Sequence, residues 1–232
     1  MGRLSALVWY WSLVILPFST VITFIITLIV CGQVLKNSGS EFVLPYISQL
    51  GIGPAYPYFV FGFVLLCLQM LFIIFGRLQY LFQSQSVVSH VSLCFIHAVA
   101  VISGILLLIM AVISLEHNAY LHIIAAFGMF ICISLYCLLN SILSFYLYSR
   151  RSIIPLHASI LWPLWYLLCG VLLSIFAAIW MSGGGVVPQY IAAGMPFLYN
   201  LGFVPQFLTQ ARSKQQNTLP FTPVHRTNDM DL

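Results

Sequence analysis

The chain has 232 residues, of which twelve are Asp, Glu, Lys or Arg; the formal net charge is +4 and 62% of residues are hydrophobic. Mean hydropathy is +1.05, whereas soluble domains carry charge on about a quarter of their residues. A water-exposed surface cannot be built from this composition, which excludes soluble folds and leaves an integral membrane protein.

Charge-free stretches run from Leu4 to Leu35, Phe42 to Gly76, Leu78 to Leu115, His117 to Ser149 and Ser152 to Ala211. One helical crossing needs about 20 apolar residues. The first predicted span covers about 8–34. Its apolar run is longer than the roughly 7 to 15 residues of a signal-peptide core, and no A-x-A site follows, so it reads as an anchor. Ala6 stands where a myristoylation pattern needs Ser or Thr.

A polar segment of about residues 35–55 comes next and contains LPYISQLG, residues 44–51, with Gly53, Pro54 and Pro57 behind it. Pro45 fixes the backbone, Tyr46 suits a membrane interface, and Ser48 can bond nearby backbone in a tight turn ending at Gly51. Pro45, Tyr46, Ile47, Ser48, Gly51 and Pro54 are therefore read as a rigid cap over one mouth of the bundle. The cap is either a structural turn or a recognition surface for a lipid or partner.

Four spans follow, at about 56–80, 88–115, 119–148 and 156–181. The last charge-free stretch is too long for one helix and breaks at Gly183-Gly184-Gly185 and Pro188, so a sixth span is placed at 187–210. Runs of this length are helices; barrel strands read as alternating segments of about ten residues. The expectation is an all-α bundle of six transmembrane helices over residues 1–211. Gly194, Pro196, Gly202 and Pro205 inside the sixth span are candidates for a kink or a broken-helix site. Ser103-Gly104, Gly128 and Gly170 are read as close helix contacts. Residues 212–232, polar and Pro-containing, read as a disordered cytosolic tail.

Basic residues stay on the cytosolic side. With the N-terminus inside, Arg3, Arg77, Arg150, Arg151, Arg212, Lys214 and Arg226 are inside and only Lys36 is outside. Both termini are then cytosolic, and Glu41 and Glu116 face the lumen or exterior.

Little in the spans can do chemistry. No carboxylate lies at membrane depth for acid and base roles. His90 and His97 share a face but stand about 10.5 Å apart along the axis, too far to grip one metal. The six cysteines sit among apolar neighbours and show no disulfide signature. Gln69, His97, His122, Asn140, Ser141 and Asn200 are the candidate intramembrane polar cluster, either bonding helix to helix or lining a lipid-headgroup pocket, with His97 expected to bond a side chain on a neighbouring helix. No catalytic residue, cofactor or metal is expected. Membrane lipids and a membrane or cytosolic protein are the expected partners, with no nucleic acid.

FVLPYISQLGIGP resembles the first loop of the Frag/DRAM/Sfk family of six-span membrane proteins, whose usual form is close to P-Y-I-S-D-T-G. HIIAAFGMFICISLYCLLNSILSFY, residues 122–146, is similar to the family's fourth span, and LGFVPQFLT, residues 201–209, to its last. Within the family the damage-regulated autophagy modulators look nearest. The resemblance implies a non-enzymatic protein of lysosomal or other endomembranes that promotes autophagy through lipid or protein contacts. The family's other branches imply alternatives: a plasma-membrane scaffold of the Sfk type that supports recruitment of a phosphoinositide kinase, or a factor in GPI-lipid remodelling. Three acidic positions of the pattern are replaced here, at Gln49, around Tyr56 and at Pro196. Family properties that need negative charge at those places are not expected of this chain.

Overall fold

The computed structural model describes residues 3–39, 44–82, 88–150, 152 and 159–216. Glu41, Arg151, Arg226, Asp229, Asp231, the start of the fifth span at 156 and the tail beyond 216 lie outside the described residues. The elements are α1 (Arg3–Asn37), two 3₁₀ turns (Ile47–Gly51 and Gly53–Ala55), α2 (Tyr56–Leu81), α3 (His90–Val112), α4 (Ala119–Ser149), α5 (Leu161–Met181), α6 (Val186–Leu201) and α7 (Val204–Gln216). Six segments are long and apolar enough to cross a membrane, the last made of α6 and α7 together.

From α1 to α6 each helix packs on its neighbour in sequence, and α6 and α7 return to α1, so the bundle closes into a ring. One end carries the 3₁₀ turns and is called the cap end; the other carries the start of α1 and the end of α7. Apolar side chains suit lipid as well as a core, so hydrophobicity does not choose which face of a helix turns inward. Close approach does. On α1 the buried stripe runs Leu13, Thr20, Thr27, Cys31 and Leu35, while Ile15, Ile22 and Ile29 face outward. Gly62 and Gly76 of α2 meet that stripe: a methyl group on Gly62 would come within 2.2 Å of Thr27, and one on Gly76 within 2.5 Å of Leu13. Of the glycines singled out from sequence, Gly128 and Gly170 are tight, at 3.1 Å to Leu106 and 3.3 Å to Cys137, while Gly104 has ordinary clearance at 3.5 Å.

Span boundaries mostly follow the expectation, with two differences. The third helix stops at Val112, because Ile113 turns extended and residues 114–118 make a tight connection in which the Ser114 hydroxyl accepts from His117 N and Asn118 Oδ1 caps α4 on Leu121 N. The sixth span is two helices. Pro196 lies inside α6 without ending it, and Gly194 has open space beside it. The interruption falls at Gly202–Phe203, and Pro205 sits in the first turn of α7, where its missing N–H costs nothing. α7 then runs on to Gln216, so residues 212–216, expected in the tail, are helical.

The break frees carbonyls at membrane depth, and α5 supplies their partners. Tyr166 OH donates to Gly202 O at 2.7 Å, and Trp165 Nε1 donates to Leu198 O at 3.0 Å. Gly202 must be glycine for those rings to approach: a methyl group there would stand 2.6 Å from Tyr166 and 2.7 Å from Trp165.

Candidate functional site

The cap is built as two short turns tied to α6 and to the connection between α3 and α4. Gln49 closes the first turn, its Oε1 accepting from Tyr46 N at 2.8 Å while Gln49 N donates to Tyr46 O at 2.9 Å. From α6, Gln189 Oε1 accepts from Ile47 N at 2.9 Å and Tyr190 OH donates to Pro45 O at 2.9 Å. Glu116, ahead of α4, accepts from Gly53 N at 3.3 Å, and Tyr56 OH donates to Val112 O at 2.6 Å. Ile47, Leu50 and Gly51 are buried, and Gly51 lies against the Phe59 ring at a separation no side chain would allow. Pro54 is exposed in the second turn. The segment expected to cap the bundle forms two 3₁₀ turns, but Ser48 does not make the first of them. The Gln49 side chain does, a neutral group doing the backbone capping for which an Asp would also serve.

Beneath the cap is an apolar chamber of about 100 Å³, with walls from all six spans and from the cap itself. Ile47, Ser48, Gln189 and His122 are at its cap end; Met70, Ile74, Met129 and Ile133 continue its wall inward. His122 and Ile133 are eleven residues apart on α4, so the chamber runs about 16 Å along that helix, about half the thickness of a bilayer's hydrocarbon core. His122 is 2% exposed. Its Nδ1 donates to Ile113 O at 2.7 Å and its Nε2 is buried without a hydrogen-bond partner.

The six residues expected to form one polar cluster do not gather. Gln69 Nε2 donates to Thr23 Oγ1 on α1, and Asn200 Nδ2 to Met70 Sδ on α2. His97 bonds Leu93 O within its own helix and sets its ring edge against Tyr136, a correction to the expected bond across helices. Asn140 Nδ2 donates to Tyr199 OH at 2.6 Å, and Ser141 Oγ to Cys137 O. Three of these five pairings tie one helix to another and two stay within a helix; only His122 borders the chamber. Among the described residues no three His, Cys, Asp or Glu side chains come together.

A second centre was not foreseen. Arg77, counted above among the cations of the cytosolic side, is wholly buried. Nη1 donates to Gln206 Oε1 and Nη2 to Ser144 Oγ, whose hydroxyl donates in turn to Asn140 O. The guanidinium faces the rings of Phe203, Tyr80 and Tyr166, at 4.8, 5.6 and 5.6 Å from their centroids. Arg77 Nε has no partner. Glu116, the only carboxylate among the described residues, sits by the opposite end of α2. A cation at membrane depth costs several kcal/mol unless compensated. Here the compensation is aromatic faces and neutral oxygens, drawn from α2 itself, α4, α5, the α6–α7 break and α7. Arg77 thus adds no surface charge, and the charge bias between the two ends rests on the other cations. The signal available in sequence was its place inside the predicted second span rather than beyond it.

Six apolar helices closed around a capped chamber define an integral, multi-span, all-α membrane protein. The chain belongs to the Frag1/DRAM/Sfk1/Cwh43P family, whose N-terminal domain matches it over residues 5–193. No curated protein and no solved structure matches it. The match includes the cap, Arg77 and most of the chamber wall and ends within α6, so Gly202 and Gln206 lie beyond it.

Proposed function

We propose that the protein is a non-catalytic, lipid-handling component of an endomembrane of lysosomal type, akin to the autophagy modulators of its family. In this reading the termini are cytosolic and the cap faces the lumen. The observation that carries it is the chamber: a space inside the bundle, lined by apolar side chains with a few neutral polar groups, lidded by a segment whose backbone is pinned from α6. Such a space suits part of a lipid. The wall holds no carboxylate, so it favours binding over acid–base chemistry. The resemblance of FVLPYISQLGIGP and the fourth span to the autophagy-modulator branch supports the compartment.

The test is to feed cells a photoactivatable, clickable fatty acid that enters all lipid classes, irradiate, and map the crosslinked residues. Crosslinks at Met70, Met129 or Phe197 are expected; crosslinks confined to outward residues such as Ile22 and Phe72 would defeat the reading. Imaging of tagged protein at native expression should show overlap with lysosomal rather than surface markers. A plasma-membrane scaffold is the second reading, favoured by exposed Arg212 and Lys214 on the last turns of α7. Only under that reading does replacing 212–232 with a neutral linker abolish function.

A further inference from the structure

The polar groups of the chamber specify what kind of lipid it takes. Resting on the lipid-binding reading above, we infer that the chamber holds an uncharged lipid alcohol, its hydroxyl donated to His122 Nε2 beneath the cap and its hydrocarbon running inward along α4.

Charge is the first argument. No Lys or Arg lines the chamber, and the nearest thing to a buried cation, Arg77, is already engaged with Gln206, Ser144 and three rings and is no part of the wall. A phosphate brought into such a space would lose its hydration with nothing to replace it, a cost far above that of a neutral hydroxyl. The second argument is the direction of the one open hydrogen bond. A carbonyl oxygen only accepts, so the 2.7 Å contact with Ile113 O requires the proton on His122 Nδ1. With that proton on Nδ1, Nε2 is the ring's lone-pair acceptor, and it is buried and unpartnered. Gln189 Oε1 and Ser103 Oγ, the other polar atoms of the wall with assigned bonds, are engaged with Ile47 N and Met129 O. Of the lining residues, His122 alone has a buried polar atom without a partner, and a hydroxyl supplies the donor it lacks. The third argument is shape. His122, Ser48 and Gln189 lie at one end of a passage about 16 Å deep, while Ser103, further in, spends its hydroxyl on Met129 O, and about 100 Å³ admits one narrow apolar body. A dry apolar cavity of about 150 Å³ takes a molecule the size of benzene, so the buried part of the ligand is a single chain or ring edge, with the rest outside among α3 and α4, where Leu107 is half-buried and Ile123 exposed.

A sterol and a monoacylglycerol both fit this description. Purified full-length protein in nanodiscs is therefore irradiated with one of three photoreactive probes: a sterol, a monoacylglycerol, or a phosphatidylcholine with its photoreactive group in the acyl chain. Labelled residues are mapped by mass spectrometry. The expectation is labelling of chamber residues by at least one alcohol probe, competed by its unlabelled parent, with phosphatidylcholine confined to the lipid-facing surface; which alcohol labels identifies the source. His122→Leu lowers chamber labelling about tenfold, as loss of one hydrogen bond to a buried acceptor implies. Because His122 also ties α4 to Ile113, Ala126→Leu, which fills the chamber from another position, is run beside it and should abolish labelling with thermal unfolding unchanged. Chamber labelling by phosphatidylcholine equal to that by the alcohols, or alcohol labelling indifferent to His122→Leu, overturns the inference and leaves the lipid-binding reading standing. No chamber labelling by any of the three overturns both.

Discussion

Replacing Gly202 by alanine tests whether the α6–α7 break is held from α5. The added methyl group would lie 2.6 Å from Tyr166 Cε1 and 2.7 Å from Trp165 Cδ1. Ordinary carbon contacts begin near 3.4 Å, so both rings must retreat by about 1 Å, and both are tethered through the hydrogen bonds that satisfy Gly202 O and Leu198 O. Losing two such bonds in a membrane protein costs about 0.6–1 kcal/mol each. Overpacking adds about 1–3 kcal/mol. The expected destabilisation is about 2–5 kcal/mol, which for a chain of this size lowers the unfolding midpoint by roughly 5–15 °C. The displaced Tyr166 ring also faces Arg77, so the loss spreads into that centre. The assay is thermal unfolding in detergent followed by intrinsic fluorescence. Gly194→Ala, on the same span with open space beside it, is the control and should stay within about 2 °C of the parent. If the two variants unfold together, the break is not clasped by Trp165 and Tyr166 and the account of it fails.

Three further outcomes follow from other contacts. Arg77→Met should cost about 1–3 kcal/mol, chiefly because Gln206 Oε1 is left without its donor; the double variant with Gln206→Leu should regain at least half of that in the same unfolding assay, since an apolar pair can replace a buried polar one. Gln189→Leu removes the acceptor for Ile47 N, so hydrogen exchange at that amide should quicken by about five- to tenfold while exchange in the centre of α2 stays put. In sealed vesicles with the cytosolic side outward, protease should leave residues 37–56 intact; cleavage there would invert the proposed orientation.

The sequence disclosed the spans because a bilayer forces a length on any run that crosses it, and His117 to Ser149 could scarcely be anything but α4. It disclosed the cap as well, through Pro45, Gly51 and Pro54. What it withheld is which way each helix faces. In lipid a stripe such as Leu13, Thr20, Thr27 and Cys31 differs from its surroundings only by being slightly smaller and more polar, and its partners Gly62 and Gly76 carry no label saying that Leu13 and Thr27 will fill the space beside them. The burial of Arg77 escaped for a related reason. A cation near a span's end is the usual mark of the cytosolic interface, and only the fold brings Tyr166, Phe203 and Gln206 to it from about 90 to 130 positions away. The four Gly and Pro residues of the sixth span looked equivalent in sequence; contact with Trp165 and Tyr166 is what separates Gly202 from Gly194. The chamber itself is a space left between six helices, and a space has no residue pattern of its own.

The pairing of α1 with α7 sets an order on assembly. Tyr10 and Leu13 near the start of the first span share a buried cluster with Phe207 and Ala211 from the last, and Lys214 lies 6.0 Å from the Tyr10 ring. α1 enters the bilayer before α7 and therefore waits for it. During synthesis its inward stripe stays unpaired at that end, and the ring shuts only when α7 arrives. Damage to α7 should be sensed about 200 residues earlier, as an α1 that never finds its seat.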